Sequence, residues 1–213
     1  MTAELDRERL ALLVHEVRSP VAALSAIAET VGESGVDEYG RAELVRLAVA
    51  ACRGIERIIA DVAVASIRFE KVDPGGLVAD AVAAARLRGA SIQLSIAADL
   101  PTLEGDHSRL RQALDNLIAN AMTHGAGSEV VVACSATDGA VRISVSDTGT
   151  GIPVGDQARI FDVGVQLRPD ASGAGLGLAV TRAIVEGHGG SLEVASTPGE
   201  GAKFTIELPR AML

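Results

Sequence analysis

Arg109-Leu110-Arg111-Gln112-Ala113-Leu114-Asp115-Asn116-Leu117-Ile118-Ala119-Asn120-Ala121-Met122-Thr123 decides the fold of the longer part of this chain. Leu110, Leu114, Leu117, Ile118 and Ala121 recur at the spacing of one helix face, so the segment predicts an amphipathic helix. Asn116 and Asn120 are four residues apart and share another face, with His124 a further turn along. A helix that hides one stripe and displays two carboxamides needs a sheet beneath it, and the flanking sequence supplies one. Ile92, Leu94 and Ile96 alternate like a half-buried strand. Val130–Ala136 and Val141–Val145 flank Asp138-Gly139, a hairpin signal, and Leu192–Ala195 and Ala202–Leu208 flank Pro198-Gly199-Glu200-Gly201, a second one. Leu77–Leu87 and Leu176–Glu186 read as further helices. Antiparallel strand pairs with helices between them predict an α+β two-layer sandwich, one sheet covered on one face.

The residues before this part follow a different pattern. Only 6 of the 23 glycines precede residue 88, so the early chain has few turns and reads as long helix. Leu10, Val14, Val17, Val21, Leu24, Ala28 and Val31 keep a 4-3-4-3 spacing, and Leu44, Ala48, Ala51, Ile55, Ile58, Val62 and Ala65 repeat it after the breaker Gly32-Glu33-Ser34-Gly35. Two consecutive heptad stripes predict an antiparallel helical hairpin. Val45, Cys52 and Ile59 widen the second stripe beyond what one partner helix covers, so a four-helix bundle formed by a homodimer is the expected arrangement. A monomeric hairpin packed on the rest of the chain is the alternative. Gly54 inside the second helix is tolerated at about 1 kcal/mol relative to Ala. Residues 67–76 read as a connection, with Asp73-Pro74-Gly75-Gly76 as turn and helix entry. The expected division is an all-α unit over residues 1–67 and the sandwich over 68–213.

Composition narrows the function. The formal net charge of -9 argues against a general nucleic-acid binder, which needs a basic stripe. No apolar run approaches the roughly 18–20 residues of a membrane helix, and charged residues interrupt the first twenty positions where a signal peptide would lie. A cytoplasmic location is expected, either as a soluble protein or as the cytoplasmic part of a larger membrane sensor. Cys52 and Cys134 have no metal-ligand spacing and read as two small buried apolar residues in a reducing compartment.

His15 follows a seam position, so its imidazole should project from the flank of the bundle, where it is nucleophilic near neutral pH. Glu16 beside it can accept the ring's proton as it attacks phosphorus. Ser19 lies one turn on and can orient a water, and Pro20 withholds an amide hydrogen from the carbonyl of Glu16, so a kink is expected there. Asn116 and Asn120 offer neutral oxygens of the kind that suit Mg²⁺, although an asparagine pair can equally be a satisfied polar patch. Asp147 ends an alternating strand, followed by Gly149 and Gly151. A carboxylate there, beside backbone that a flat ring can approach, can accept from an exocyclic amine. Gly173, Gly175, Leu176 and Gly177 lead into an apolar helix, whose bare N–H groups favour an anion.

The ordered segments carry a resemblance. His15-Glu16-Val17-Arg18-Ser19-Pro20 resembles the phosphoacceptor box of the sensor histidine kinases of two-component systems, and the heptad hairpin resembles their dimerisation and phosphotransfer domain. Asp115–Ala121, Asp147–Gly151 and Gly173–Leu178 resemble the N, G1 and G2 boxes of the histidine kinase ATP-binding domain, shared with gyrase, MutL and the heat-shock chaperones. Arg159-Ile160-Phe161-Asp162 is similar to the F box, and Asp162–Ala174 then corresponds to an ATP lid. The resemblance extends from Leu10 to Pro209 and takes in Gly105-Asp106 and His188-Gly189-Gly190.

By that resemblance His15 is the autophosphorylation site, Glu16 the base and Ser19 the support of a phosphatase activity. Asn120 would coordinate Mg²⁺, Asp147 would bind the adenine amine, and the glycines would close over the phosphates of ATP. Arg168 in the lid is either a γ-phosphate contact or a solvated loop residue. Thr123 departs from the pattern, since many members carry a lysine three residues after the magnesium asparagine; His124, where an aromatic often stands, is another possible nucleotide contact. The implied activity is that of an ATP-dependent protein-histidine kinase that passes the phosphoryl group to an aspartate of a response regulator receiver domain. The alternative is a histidine phosphotransfer protein with a degenerate ATP site. A serine kinase of the anti-sigma-factor type shares the ATP fold but lacks the hairpin with its histidine.

Overall fold

The computed structural model describes residues 20–31, 37–65, 67–125, 129–137, 139–162, 165, 167 and 176–210. The chain divides between Val62 and Ala63 into two compact units. The first holds residues 20–31 (α1) and all but the last three residues of the helix Glu38–Ala65 (α2). Asp37 caps α2 by accepting from the Gly40 N–H at 2.7 Å. The half-buried residues of α1 are Pro20, Leu24 and Ile27, whereas Val21, Ala28 and Val31 are exposed, so the buried stripe is rotated from the expected one. On α2 the expected stripe holds: Leu44, Ala48 and Ile55 are half-buried and Ala51 and Ile58 buried. Gly54 is also half-buried, and a Cβ there would lie 3.8 Å from Cβ of Pro20, so the two helices meet at this level. Leu10, Val14, Val17 and the kink expected before Pro20 lie outside the described residues, as do the side chains of Ile59, Val62 and Ala65.

The second unit is a two-layer sandwich. Its main sheet has the order β2-β4-β5-β7-β6, formed by Ile92–Ile96, Val130–Thr137, Ala140–Asp147, Gly201–Pro209 and Ser191–Thr197 for β2, β4, β5, β7 and β6. All neighbours are antiparallel except β2 and β4, which run parallel with Ile92 opposite Val130. The sheet is therefore mixed rather than built only of antiparallel pairs: the helix between β2 and β4 returns the chain to the same end. A small second sheet, β1 (Glu70–Val72) against β3 (Leu103–Gly105), occupies part of what the sequence reads as a connection.

Helices α3 (Pro74–Leu87), α4 (His107–His124) and α5 (Gly177–Gly187) cover one face. Alternation sorts the strands: Val130, Val132, Cys134, Val141, Ile143, Val145, Phe204 and Ile206 point into the core with Val78, Leu114, Leu117, Ile118 and Ile184, while Arg142, Lys203 and Gln93 face outward. With so few aromatics the core is aliphatic, and its one edge-to-face ring pair is Phe161 on Phe204, centroids 6.3 Å apart. Cys134 belongs to this core, and burial followed by the Asp73 charge pushes its thiol up to about 11. Cys52 is exposed on α2, which corrects the expectation that both thiols are buried: it lies beside the buried Ala51, one position off the stripe.

α4, the fold-deciding helix, is fixed at its N-terminus. Asp106 is the N-cap, its Oδ1 accepting from Arg109 N–H at 3.1 Å and its Oδ2 from Arg68 N–H at 3.1 Å. Its own N–H donates to Nε2 of the buried His188 at 2.9 Å, so the other ring nitrogen, Nδ1, carries the hydrogen given to the Ile184 carbonyl at 2.7 Å. A Cβ at Gly105 would come within 2.8 Å of the His188 ring, which is why a glycine precedes the cap. Burial acts to raise the Asp106 carboxyl, but the backbone N–H groups of Arg68, Arg109 and Ser108 and the Arg109 charge outweigh it, and the group titrates below the usual aspartate range. A depressed carboxylate adds stability that is complete above its unfolded-state pKa and lost as pH falls through the folded value. Asp106→Ala is expected to cost about 1 kcal/mol at pH 7. Urea unfolding from pH 7 down to pH 2 should show that difference shrinking as the wild-type carboxyl protonates.

Candidate functional site

The residues singled out in the sequence gather where the C-terminal part of α4, the end of β5 and the start of α5 come together. Asn116 and Asn120 are half-buried on α4 beside its buried face. Asn116 is partly engaged: its Nδ2 donates to the Gly177 carbonyl at 3.2 Å and lies 3.5 Å from Thr181 Oγ1. Thr181 is fully buried and donates to the same carbonyl at 2.7 Å. These bonds tie the first turn of α5 to α4. They leave the Asn116 oxygen and the whole Asn120 carboxamide without a hydrogen-bond partner among the described residues.

Thr123 bonds back onto its own helix, its hydroxyl donating to the Ala119 carbonyl at 2.8 Å. His124 is half-buried in the last turn, and its carbonyl oxygen faces the loop after β5. Asp147 closes β5 opposite Ala202 and is only 9% exposed. Its Oδ1 accepts from the Gly149 N–H at 2.8 Å, which folds the following loop into an Asx turn. Its other oxygen has no partner among the described residues. A nearly buried carboxylate oxygen without a partner among the described residues can accept from a bound group, and an exocyclic amine is one.

The loop itself is shaped by close backbone approach. A Cβ at Gly149 would overlap the His124 carbonyl oxygen and come within 2.7 Å of Gly125 Cα. One at Gly151, where φ is +67, would overlap the Thr197 carbonyl oxygen. Gly201, with φ of +92, stands in the same relation to the Asp147 carbonyl oxygen. Leu176 and Gly177 open α5, with Gly177 packed against the Asn116 side chain. Beyond the loop Arg159–Phe161 forms a single 3₁₀ turn that buries Ile160, and the Arg182 guanidinium lies 5.9 Å over the Phe161 ring. His15, Glu16, Ser19, Arg168, Gly173 and Gly175 lie outside the described residues.

Sequence reading missed Thr181, Ser196 and Gln157. Ser196 and Gln157 act by hydrogen-bonding backbone far away in sequence, and Thr181 meets Asn116 across two helices; neither spacing nor periodicity signals that. The described residues hold no cluster of three or more His, Cys, Asp or Glu side chains able to grip a metal. None of their helices is long and apolar enough to cross a membrane.

An amide-bearing helix, a carboxylate at a strand end and glycine loops on a mixed sheet agree with the comparisons. Residues 105–212 match the histidine kinase-, DNA gyrase B-, and HSP90-like ATPase family. The chain belongs to this family. Among solved structures, the mycobacterial sensor histidine kinase MprB is 30% identical with a TM-score of 0.59, the match covering 68% of this chain and 100% of that one. Full-length ShkA, crystallised in complex with AMPPNP, is 31% identical with a TM-score of 0.66, over 97% of this chain and 46% of that one. The sensor protein DivL of Caulobacter vibrioides is 33% identical over 96% of this chain and 28% of its own length. The adaptive-response sensory kinase SasA of Prochlorococcus marinus is 32% identical over 97% and 58%. These relatives place the chain among the sensor histidine kinases, and it spans less than two thirds of the length of either curated relative.

The glycine packing gives a direct check. Gly149→Ala forces a methyl group into backbone that has no side chain to move aside, so it should cost about 1–3 kcal/mol, lowering Tm by roughly 2–4 °C per kcal/mol. At Gly155 a Cβ meets nothing within 4 Å, so Gly155→Ala should leave the melting curve in place. Differential scanning calorimetry of the two variants measures the contrast.

Proposed function

We propose that the chain is the core of an ATP-dependent protein-histidine kinase, with residues 1–67 as the dimerisation and phosphotransfer domain and residues 68–213 as the ATP-binding catalytic domain. Asp147 takes the exocyclic amine of adenine on its unpaired oxygen, and Gly149 and Gly151 let the base lie against backbone. Asn116, Asn120 and His124 line the nucleotide along α4. Gly173, Gly175, Leu176 and Gly177, with Arg168, enclose the phosphates at the start of α5, where backbone N–H groups favour anions. The observation that carries this reading is the nearly buried oxygen of Asp147, unpaired among the described residues, beside a loop that only glycine can form.

The open carboxamide of Asn120 fits Mg²⁺, which binds through oxygen and keeps waters and phosphates as its other ligands. Bound there, the ion would neutralise phosphate charge during transfer. His15 attacks the γ-phosphorus through a ring nitrogen, the bond to the β-phosphate oxygen breaks so that ADP leaves, and Glu16 accepts the proton of the ring. The phosphoryl group then passes to an aspartate of a response regulator receiver domain, and Ser19 supports removal of phosphate from that partner by orienting a water. A homodimer through the hairpin is supported by the apolar side chains that α2 exposes in the single chain, Val45 at 62% and Val49 at 44%. The site is cytoplasmic, where ATP and the receiver domain are available.

A second reading, a histidine phosphotransfer protein with a degenerate ATP site, is favoured by one observation. At position 123 there is a hydroxyl already spent on Ala119, and no cation. Incubation of the full chain with γ-labelled ATP and Mg²⁺ separates the two. The kinase reading expects acid-labile label on wild type, and none on His15→Ala or Asn120→Ala. An unlabelled but ATP-binding wild type would support the second reading, label on His15→Ala would move the acceptor elsewhere, and acid-stable label would point to a hydroxyl acceptor.

A further inference from the structure

Pro198-Gly199-Glu200-Gly201 reads in sequence as an ordinary hairpin turn, yet it and the residue pair before it are bonded along the glycine loop that follows β5. Ser196, near the end of β6, uses its hydroxyl twice: Oγ accepts from the Ile152 N–H at 2.8 Å and donates to the Gly201 carbonyl at 2.6 Å. Gln157 reaches the same place from the other side, its Nε2 donating to the carbonyls of Ile152 at 3.0 Å and of Ser196 at 2.8 Å. Gly199 N–H donates to the Thr150 carbonyl at 2.8 Å. The Ile152 residue is thereby held at its N–H by Ser196 and at its C=O by Gln157, in a half-buried setting where an unpaired peptide group is costly.

The loop is confined from both directions. It cannot close further on α4 or on the end of β6, because Gly149 and Gly151 already lie against the carbonyls of His124 and Thr197. Outward movement is opposed by the bonds from Ser196 and Gln157. We propose that Ser196 and Gln157 are positioning residues for the adenine end of the nucleotide site. They hold the loop from Thr148 to Ile152 in the one arrangement that sets Asp147 and the Gly149 backbone against a purine. The inference rests on the nucleotide reading above and adds to it the hairpin turn as a supporting layer. Because both side chains act on the loop beside the base, they govern affinity for adenine nucleotides of any phosphate length, while the phosphoryl-transfer step is set elsewhere.

Calorimetric titration of the full chain with ATP and with ADP, well below the melting temperature of each variant, tests this, with autophosphorylation kinetics alongside. Ser196→Ala is expected to raise Kd about tenfold for both nucleotides, the equivalent of one lost buried hydrogen bond. KM for ATP should rise in step while kcat holds, and Ser196→Thr, which keeps the hydroxyl, should restore affinity. Gln157→Met keeps the side-chain length, removes the donor and should weaken both nucleotides alike; it carries the test if Ser196→Ala does not fold. The combined variant should fall short of the product of the two effects, because both act on Ile152. Unchanged affinity with a lowered Tm would overturn the proposal, as would a loss confined to ATP or to kcat. A wild-type chain that binds neither nucleotide would overturn the functional reading itself, and this inference with it.

Discussion

Backbone packed directly on backbone at the end of β5 is the constraint on which the candidate site depends. At Gly149, Gly151 and Gly201 a single added carbon would overlap a carbonyl oxygen of another segment. Side chains normally hold such segments apart, and they can adjust by changing rotamer; peptide planes cannot. Glycine carries an entropic penalty in the unfolded chain, and here it is offset by a wall with almost no freedom left in it. The Asp147 carboxylate takes its place from that wall, through the Asx turn to Gly149 and the strand register with Ala202.

The helix facing this wall is fixed with comparable care. At its start, Asp106 caps the first turn while its own N–H is taken by His188, the C-cap residue of α5. Further along, Asn116 holds the first turn of α5. Two bonds a whole helix apart therefore join α4 and α5 at both ends of α5, and the pair should shift as one body. Arg68 and Phe69 join the same cluster, through the Asp106 carboxylate and the His188 ring, centroids 5.5 Å apart. The segment that leads into the sandwich is thereby anchored at the cap of the asparagine helix. Displacement of that segment reaches the helix through two specific contacts.

Much of this was legible in the sequence because apolar periodicity and glycine placement are local signals. The face of Leu110, Leu114, Leu117 and Ile118 is buried as its spacing requires, and both hairpins close at the glycine turns. The parallel β2–β4 pair was not legible, since alternation shows a strand's faces but not its neighbour's direction. β1 and β3 escaped because three-residue strands have no period to detect. On α1 the heptad rule chose Val21, Leu24, Ala28 and Val31, of which Leu24 is half-buried, while Pro20 and Ile27 are half-buried off that stripe. The stripe there mixes Ala and Val at neighbouring positions, so its centre is poorly defined. His188 matched a motif, but its work as a two-ended backbone clamp depends on Asp106, 82 positions away.

Position 123 shows how a local bond bears on the chemistry of the whole site. Threonine in a helix interior satisfies its hydroxyl on the carbonyl four residues back, and Thr123 does this with Ala119. The side chain is then folded along α4 and brings neither charge nor a free donor to its neighbours. Asn116 gives its N–H₂ group to Gly177, which leaves its oxygen without a hydrogen-bond partner among the described residues and involves no ionised group. The described length of α4 at the site thus presents neutral oxygens where the resemblance leads one to expect an added cation. On the proposed reading, balancing a polyphosphate on this helix would fall to a divalent ion, to the N–H groups that open α5, and to Arg168 in the segment between. Each of these acts only over short range, so on that reading the position of the phosphates and their charge balance are set by the same few contacts.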